Sequence, residues 1–224
     1  MQWQKKIEKS FDEKQIKSLS VKNGNGNTKI LGKNGTKALV TANKKGWSKN
    51  CELDIHQSDK VLYVEVKKKA SREDCRVDFD ITLPIEADLD LKSGSGNYSI
   101  KEITGNFEIK MGSGDLVIEK STVKKLDAKS GSGNVKMEGE IHQAEIKLGS
   151  GDADVRFAKV PTDGSLSIKS GSGDAQIRLP KDSKISVEFK AGSGKVSNEF
   201  ENSTSAPYSI TVKAGSGNLK VSKF

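Results

Sequence analysis

One motif, Lys-x-Gly-Ser-Gly, occurs seven times in the C-terminal two thirds of this 224-residue chain. Successive copies are 18, 19, 18, 22, 21 and 23 residues apart, measured between their first glycines. A fixed short period indicates stacked supersecondary units, because a unit of about 20 residues cannot enclose a core by itself. The first glycines of the seven copies are Gly94, Gly112, Gly131, Gly149, Gly171, Gly192 and Gly215.

Apolar and polar residues alternate on both sides of each glycine pair. In the third copy, Leu126 and Ala128 precede the glycines and Val135 follows them, with polar residues between. This period of two is typical of strands with one buried face. The alternation fails only after the sixth glycine pair, at Val196 and Asn198. The two glycines themselves suit a bend with a positive φ or a close approach to a neighbouring unit.

The sequence therefore predicts an all-β fold, a parallel β-solenoid (β-helix) of about seven coils of 18–23 residues. An antiparallel sandwich or barrel also has short strands and regular turns, but it does not need one tripeptide at the same phase in every unit. We expect residues 87–224 to form the solenoid repeats. Residues 1–86 are expected to form a β-rich N-terminal cap that continues the stack and shields its first coil.

The lead-in at residues 1–86 contains a degenerate copy of the bend at Asn23–Asn27. Its first twelve residues place Trp3, Ile7 and Phe11 four apart, which suits either a helix or a leading strand. Turn-rich segments separate six alternating runs, of which the fourth and fifth are expected to form a hairpin. The six runs are Ile16–Val21, Thr28–Leu31, Lys37–Thr41, Cys51–His56, Val61–Val66 and Arg76–Leu83.

Composition excludes several classes of protein. Only 33% of the residues are apolar and none lie in a continuous apolar stretch long enough to span a bilayer. Charged residues of both signs make up 30% of the chain, and the formal net charge of +8 moderately favours anionic partners. The N-terminus lacks the apolar region of a signal peptide, which leaves open a cytoplasmic protein or an exported one whose signal peptide has been removed.

The cysteines and histidines do not indicate a metal site or a cofactor. Cys51 and Cys75 lie on neighbouring predicted strands and form either one disulfide, in an exported protein, or two buried thiols. His56 and His142 lack the spacing of zinc ligands. We expect no cofactor.

The lysine two residues before each glycine pair is the main candidate for binding. Stacking would place these lysines in a row about 29 Å long, with about 4.8 Å between coils, beside a second row that is mostly acidic. The two rows either neutralise each other and keep the sheet soluble or bind a linear polyanion. The polyanion would bind best in the C-terminal half, where Ser167 and Thr211 leave Lys169 and Lys213 without acidic neighbours. The seven lysines are Lys92, Lys110, Lys129, Lys147, Lys169, Lys190 and Lys213.

The remaining polar residues of the bends indicate geometry rather than chemistry. Asn or Asp follows six of the seven glycine pairs, and we expect these side chains to hydrogen-bond the local backbone of the bend. Calcium would need six to eight converging oxygens and is not expected. Seven Gly-Ser-Gly copies do not match the nucleophile elbow of hydrolases. Trp47, among three lysines, is the best candidate for an exposed binding aromatic, although packing over the first coil is the preferred interpretation.

The alternating lead-in from Phe11, the Leu83-Pro84 segment and the train of Gly-Ser-Gly-Asn/Asp bends resemble the bacterial putative-adhesin domain family. Members of that family are β-solenoid domains of unknown function, and the resemblance covers residues 11–224. It implies export and attachment to the cell surface. It supplies no catalytic residues.

We therefore expect a non-enzymatic, extracytoplasmic, adhesin-like surface or scaffold protein, located in the periplasm, at the cell surface or secreted. Expected partners are an anionic polysaccharide or a cell-envelope component, and nucleic acid is a further polyanion. The alternatives are a polysaccharide-acting β-helix enzyme and an intracellular interaction module. Because no C-terminal cap is evident, we also expect end-to-end self-association through exposed strand edges near Val221–Phe224.

Overall fold

The computed structural model describes residues 5–35, 37–70, 73–203 and 205–224. This part of the chain is all-β apart from one 3-10 turn at Glu13–Gln15, and none of its helices is long and apolar enough to cross a membrane. The lead-in forms seven strands, namely the six predicted alternating runs and a leading strand, which is one of the two alternatives for the first twelve residues. They are β1 (Lys6–Phe11), β2 (Ser18–Asn25), β3 (Thr28–Gly32), β4 (Ala38–Gly46), β5 (Cys51–Ser58), β6 (Val61–Lys68) and β7 (Arg76–Leu83).

In the repeats, one strand runs into each Gly-Ser-Gly bend and another begins just after it. All the described strands belong to a single hydrogen-bonded sheet. The repeat strands are β8 (Asp88–Ser95), β9 (Tyr98–Lys101), β10 (Thr104–Ser113), β11 (Leu116–Ser132), β12 (Val135–Ser150), β13 (Ala153–Lys159), β14 (Gly164–Ser172), β15 (Ala175–Leu179), β16 (Ile185–Ser193), β17 (Val196–Asn198), β18 (Tyr208–Ser216) and β19 (Leu219–Lys223).

The strands form two walls that meet at the bends. Wall A contains the strands that precede the bends, together with β5 and β6, in the order β5-β6-β2-β8-β10-β11-β12-β14-β18-β16. Wall B contains the strands that follow the bends, together with β1, β4 and β7, in the order β1-β4-β7-β3-β9-β11-β12-β13-β15-β19-β17. The long strands β11 and β12 pass from wall B into wall A. Repeats that are neighbours in the stack pair in parallel, so the fold is all-β and solenoid-like.

The spatial order of the repeats differs from their order in the chain at both ends. At the C-terminal end, β18 pairs in parallel with β14 on one side and with β16 on the other, so the last repeat lies inside the stack. At the N-terminal end, β2 lies between β6 and β8.

At the C-terminal end, the sixth repeat is the outermost one because the last repeat lies between it and the fifth. Its second strand, β17, has only one neighbour, which explains why the alternation fails at Val196 and Asn198.

The prediction of free edges near Val221–Phe224 is wrong. Strand β19 is paired on both sides, with β15 and with β17. The edges at this end are instead those of β16 and β17. The motif identifies equivalent residues in different repeats, but it does not show which of the equivalent residues are neighbours.

The two glycines of each bend have different roles. In the third repeat, Gly133 has a φ of +127°, a conformation that favours glycine. Gly131 does not have a positive φ, but a Cβ there would lie 2.6 Å from the carbonyl oxygen of Gly112 in the adjacent repeat. The first glycine therefore permits close stacking and the second permits the turn.

A single cluster of buried residues runs through the stack from Ile16 to Val221. The inserted last repeat contributes to this core through Tyr208, which is fully buried. Its hydroxyl donates to the carbonyl of Ile141 at 2.9 Å, and its ring packs edge-on against Phe157 with 5.3 Å between centroids. The last repeat is therefore held by core contacts as well as by strand pairing.

The N-terminal end is closed by antiparallel strands. Strand β1 pairs with β4, and β5 pairs with β6 in the expected hairpin. Lys9 Nζ donates to the carbonyl of Ile55 at 2.8 Å and so links β1 to β5. The structure joins Cys51 to Cys75 in a disulfide, the first of the two alternatives, with 5.6 Å between the Cα atoms. Ile7 and Phe11 lie on strand β1, and Trp3 lies outside the described residues.

The C-terminal end is closed by residues 199–203, which follow β17. Phe200 is buried against the core, with 8% of its surface exposed. Asn202 acts as a substitute for a strand, because its side chain accepts from the backbone N–H of Val187 at 2.6 Å and donates to the Val187 carbonyl at 3.0 Å. Nothing in the repeat pattern indicates this closure, since these residues lie between two copies of the motif.

Candidate functional site

In-register pairing brings the repeat lysines into one row along wall A. The seven predicted lysines are neighbours in this row, and Lys22 of the lead-in joins them as an eighth. Seven steps of about 4.8 Å give a row about 34 Å long. Because the last repeat is inserted, Lys213 lies between Lys169 and Lys190. The row runs Lys22, Lys92, Lys110, Lys129, Lys147, Lys169, Lys213, Lys190.

An acidic row lies beside the lysine row and neutralises most of it. Five lysines bind the carboxylate two residues earlier on their own strand. These groups are exposed and screened by solvent, so each pair contributes little to folding. The pairs are Lys92–Asp90 at 3.2 Å, Lys110–Glu108 at 2.6 Å, Lys129–Asp127 at 3.0 Å, Lys147–Glu145 at 2.9 Å and Lys190–Glu188 at 2.7 Å.

The compensation is incomplete toward the C-terminal end. The expectation that Lys169 lacks an acidic partner is wrong, because its Nζ lies 2.8 Å from Glu145 of the adjacent repeat. Glu145 therefore serves both Lys169 and Lys147, and hydrogen bonds from these two lysines lower its pKa to about 2. Lys213 has no ion pair within 4.0 Å among the described residues. An excess of positive charge remains around Lys169, Lys213 and Lys190.

The Asn and Asp side chains after the bends form a hydrogen-bonded row, but not with their own bends as expected. Each side-chain oxygen accepts from the backbone N–H of the equivalent residue in the adjacent rung; for example, Asn97 accepts from Asp115 at 2.8 Å. The row ends at Lys195, whose N–H donates to Asn218 at 3.0 Å. Lys195 belongs to the outermost repeat and has no further rung to bind, which explains why it alone departs from the pattern. The full row is Asp78, Asn27, Asn97, Asp115, Asn134, Asp152, Asp174, Asn218, Lys195.

A groove of about 880 Å³ runs along the bends beside the lysine row. It crosses five rungs, from Lys22 to Lys147, and its lining is predominantly apolar. Two apolar residues of the repeats, Met111 and Leu148, contribute to it. Sequence analysis did not identify this groove. The signal was the position directly before the first glycine, which varies between serine, alanine and larger apolar residues while its neighbours are uniform.

Trp47 packs against the core rather than standing exposed as a binding residue. It is half-buried and packs against the core at the N-terminal end, and the ammonium of Lys44 lies 4.3 Å from its ring centroid. Burial lowers the pKa of Lys44. Trp47 lies apart from the residues that line the groove.

The two histidines each form a local contact. Nδ1 of His56 lies 2.8 Å from Asp54, and its ring stacks on Tyr63 at 5.1 Å between centroids. His142 lies 3.5 Å from Glu140. Within the described ranges, no three His, Cys, Asp or Glu side chains are grouped so that they could hold a metal ion.

The chain is similar in sequence to a known family and in fold to several solved structures. The sequence profile of the Toastrack DUF4097 family matches residues 5–223. No protein with a curated description is a significant match.

Several solved structures share the fold at low sequence identity. A putative adhesin from Bacteroides fragilis is 16% identical with a TM-score of 0.56, and the alignment covers 98% of each chain. A putative lipid binding protein from Parabacteroides distasonis is 13% identical with a TM-score of 0.53, covering 98% of this chain and 96% of that one. A putative adhesin from the same organism is 12% identical with a TM-score of 0.51, covering 98% and 97%. At these identities the likeness shows the fold alone.

Proposed function

The chain belongs to the Toastrack DUF4097 family, and we propose that it is a non-enzymatic, extracytoplasmic, adhesin-like surface protein that binds an extended anionic polymer of the cell envelope. The binding surface is the C-terminal part of the lysine row on wall A. The observation that carries this proposal is the excess of positive charge at the adjacent residues Lys169, Lys213 and Lys190. These three lysines and Lys147 are accompanied by two carboxylates, Glu145 and Glu188.

The spacing of this surface suits a linear ligand. Hydrogen-bonded strands hold the backbones of successive lysines about 4.8 Å apart, so only the exposed lysine side chains need to be ordered when the ligand binds. The first part of the row is neutral, since Lys92, Lys110 and Lys129 each have their own carboxylate. We therefore assign the polyanion to the C-terminal part rather than to the whole row.

Two observations support a location outside the cytoplasm. The Cys51–Cys75 disulfide is a bond that persists mainly in oxidising compartments. Proteins of the same fold are named putative adhesins, a role exercised at cell surfaces. We also interpret the seven repeats as seven coils, and residues 1–86 as a cap continuous with them, because β2 and β3 pair directly with β8 and β9.

Chromatography on heparin, a soluble model polyanion, tests the proposal. The wild-type protein should be retained and should elute at a salt concentration that falls when Lys169, Lys213 and Lys190 are all replaced by alanine. The loss of two or three phosphate-like or sulfate-like contacts should change the salt dependence as well as the affinity. Binding to purified acidic envelope polysaccharides should follow the same order.

A matched variant controls for net charge. Lys29, Lys136 and Lys220 lie in one outward row of wall B, so replacing all three by alanine removes the same charge from the opposite wall. The proposal predicts that this control elutes later than the wall A variant. Equal elution of the two triple variants would show that retention reflects net charge alone and would refute the assigned surface.

A further inference from the structure

The groove beside the lysine row is apolar although lysines form one side of it. The ammonium groups of Lys92, Lys110 and Lys129 turn toward Asp90, Glu108 and Asp127 in the acidic row. Their methylene chains are left beside the bends, where the glycines carry no side chains. Lysine stems often cover apolar surface in this way while the charged group remains in water.

The groove is long, shallow and open to solvent. Five rungs contribute a lysine, the residue after it and a glycine, which gives a length of about 19 Å for four steps of about 4.8 Å. Met111 and Leu148 lie two rungs apart along it, with Ser130 between them. An unbranched apolar chain matches this shape, whereas a compact ring system would span only part of it.

The N-terminal end of the groove is polar and cationic. The side chain of Lys68 lies over Gly24, where its Nζ would be 3.8 Å from a Cβ at that position. Among the described residues Lys68 has no ion pair within 4.0 Å, and Lys22 has only a distant one, 3.9 Å from Glu65. Val66 and Asn23 line the same end, but the amide of Asn23 is buried and donates to the carbonyls of Gly26 and Val77, so the lysines supply the positive charge there.

We propose that the groove binds the acyl chain of a single-chain anionic amphiphile, with the apolar tail along Met111 and Leu148 and the anionic head group at Lys22 and Lys68. Apolar lining and positive charge at one end are the two properties that such a molecule requires. This site is separate from the polymer-binding surface, because the groove ends at the rung of Lys147 and the excess charge lies beyond it.

Calorimetric titration with sodium myristate below its micelle concentration tests the site on the whole protein. Saturable binding of one myristate per chain is expected. The double variant Met111→Ser/Leu148→Ser should weaken binding by about tenfold, because it removes apolar contact surface. Serine occupies the equivalent position at Ser93, Ser130 and Ser170, so the bend accepts it, but Met111 and Leu148 are 7% and 5% exposed and pack in the core. The melting temperature of the double variant is therefore measured alongside, and the comparison of affinities uses a temperature at which the variant is folded.

Two further measurements assign the two ends of the ligand. Lys68→Ala should weaken myristate binding by about threefold, consistent with loss of a partly exposed charge contact. Tetradecyltrimethylammonium, with an equally long tail and a cationic head, should bind more weakly than myristate to the wild-type protein. Val117→Ser, which changes an outward apolar residue of wall B, is the matched control and should bind as the wild type does.

Absence of saturable myristate binding would overturn the site, and so would wild-type affinity in the Met111→Ser/Leu148→Ser variant. Equal affinity for the cationic amphiphile would overturn the head-group assignment. Heparin retention of the same double variant should be unchanged. Failure of the groove and failure of the polymer surface are therefore distinguished by separate measurements.

Discussion

The two ends of the stack follow one arrangement but are closed to different degrees. At each end, the rung nearest the chain terminus is not the outermost rung of the stack. Strand β6 lies outside β2 at the N-terminal end, and β16 lies outside β18 at the C-terminal end. The N-terminal end is then covered by three antiparallel strands, β5, β4 and β1, and a disulfide. The C-terminal end is covered, in the described part of the chain, by residues 199–203, with Phe200 and Asn202 as the main contacts.

This difference shows how a repeat protein protects its termini. A terminal segment between two rungs has hydrogen-bonding partners on both sides, so it does not fray as an outermost strand would. The exposed edge is transferred to an internal segment of the chain, which must then be covered by other means. Antiparallel strands cover it almost completely at one end, whereas a single amide side chain covers part of it at the other.

Removal of the inserted last repeat should have the largest effect. A chain ending at residue 207 lacks five core side chains, each contributing about 1.5–3 kcal/mol, a sum comparable with the whole stability of a domain. We expect it to show no cooperative thermal transition by circular dichroism. The missing side chains are Tyr208, Ile210, Val212, Leu219 and Val221.

Removal of residues 1–11 is the matched truncation at the other end. It deletes β1, which pairs only with β4 and contributes the partly buried Ile7 and Phe11. The loss should be about 1–3 kcal/mol, with cooperative unfolding retained. If the two truncations lower the melting temperature equally, the last repeat is not an internal rung.

Loss of the disulfide should come next in size. Replacing Cys51 and Cys75 by serine opens a loop of 24 residues, which corresponds to about 3 kcal/mol in the chain-entropy account. Urea unfolding of the variant measures this loss. Hydrogen exchange should accelerate in β5 and β7 and remain unchanged in β16 and β18; a uniform acceleration would show that the two ends are not independent.

Asn202→Ala should have a smaller effect that is confined to the C-terminal end. It removes two hydrogen bonds from the backbone of Val187, for a loss of about 1–2 kcal/mol. The Val187 amide should lose protection from hydrogen exchange, and the protein should associate more readily at high concentration because the β16 edge is uncovered. If light scattering shows that the variant remains monomeric, the uncovered β16 edge does not mediate association.

Glu145→Gln should have the smallest effect on stability but a measurable effect on charge. It frees Lys147 and Lys169 and should delay elution from heparin, whereas Glu138→Gln on wall B should change elution less. The pKa of Glu145 is lowered from 4.5 to about 2, so its stabilising contribution is complete above pH 4.5 and is lost as the pH falls toward 2. The variant should lack this part of the acid dependence in urea unfolding.

Much of the fold follows from the repeated motif. The glycine pair predicts the bend, alternation predicts the strands, and the constant lysine position predicts the row on wall A. These features depend on local geometry and on equivalence between repeats, both of which are visible in one sequence.

The order of the rungs does not follow from the motif, because equivalent residues can stack in any order that the connecting segments permit. The Lys169–Glu145 ion pair and the cover provided by Asn202 depend on that order, so sequence analysis could not identify them. One clue was available: Lys195 lacks the side-chain oxygen that every inner rung provides. A repeat that departs from the pattern at this position is a candidate for an outermost rung.

Disulfide trapping tests the inserted last repeat most directly. Thr211 lies beside both Ser167 and Glu188, which are therefore separated by a full rung. Adjacent strands are close enough for a disulfide and alternate strands are not. The account predicts that a Ser167→Cys/Thr211→Cys variant oxidises to an internal disulfide and that a Ser167→Cys/Glu188→Cys variant does not, as read by peptide mapping. The opposite result would mean that the repeats stack in chain order and would contradict the architecture described here.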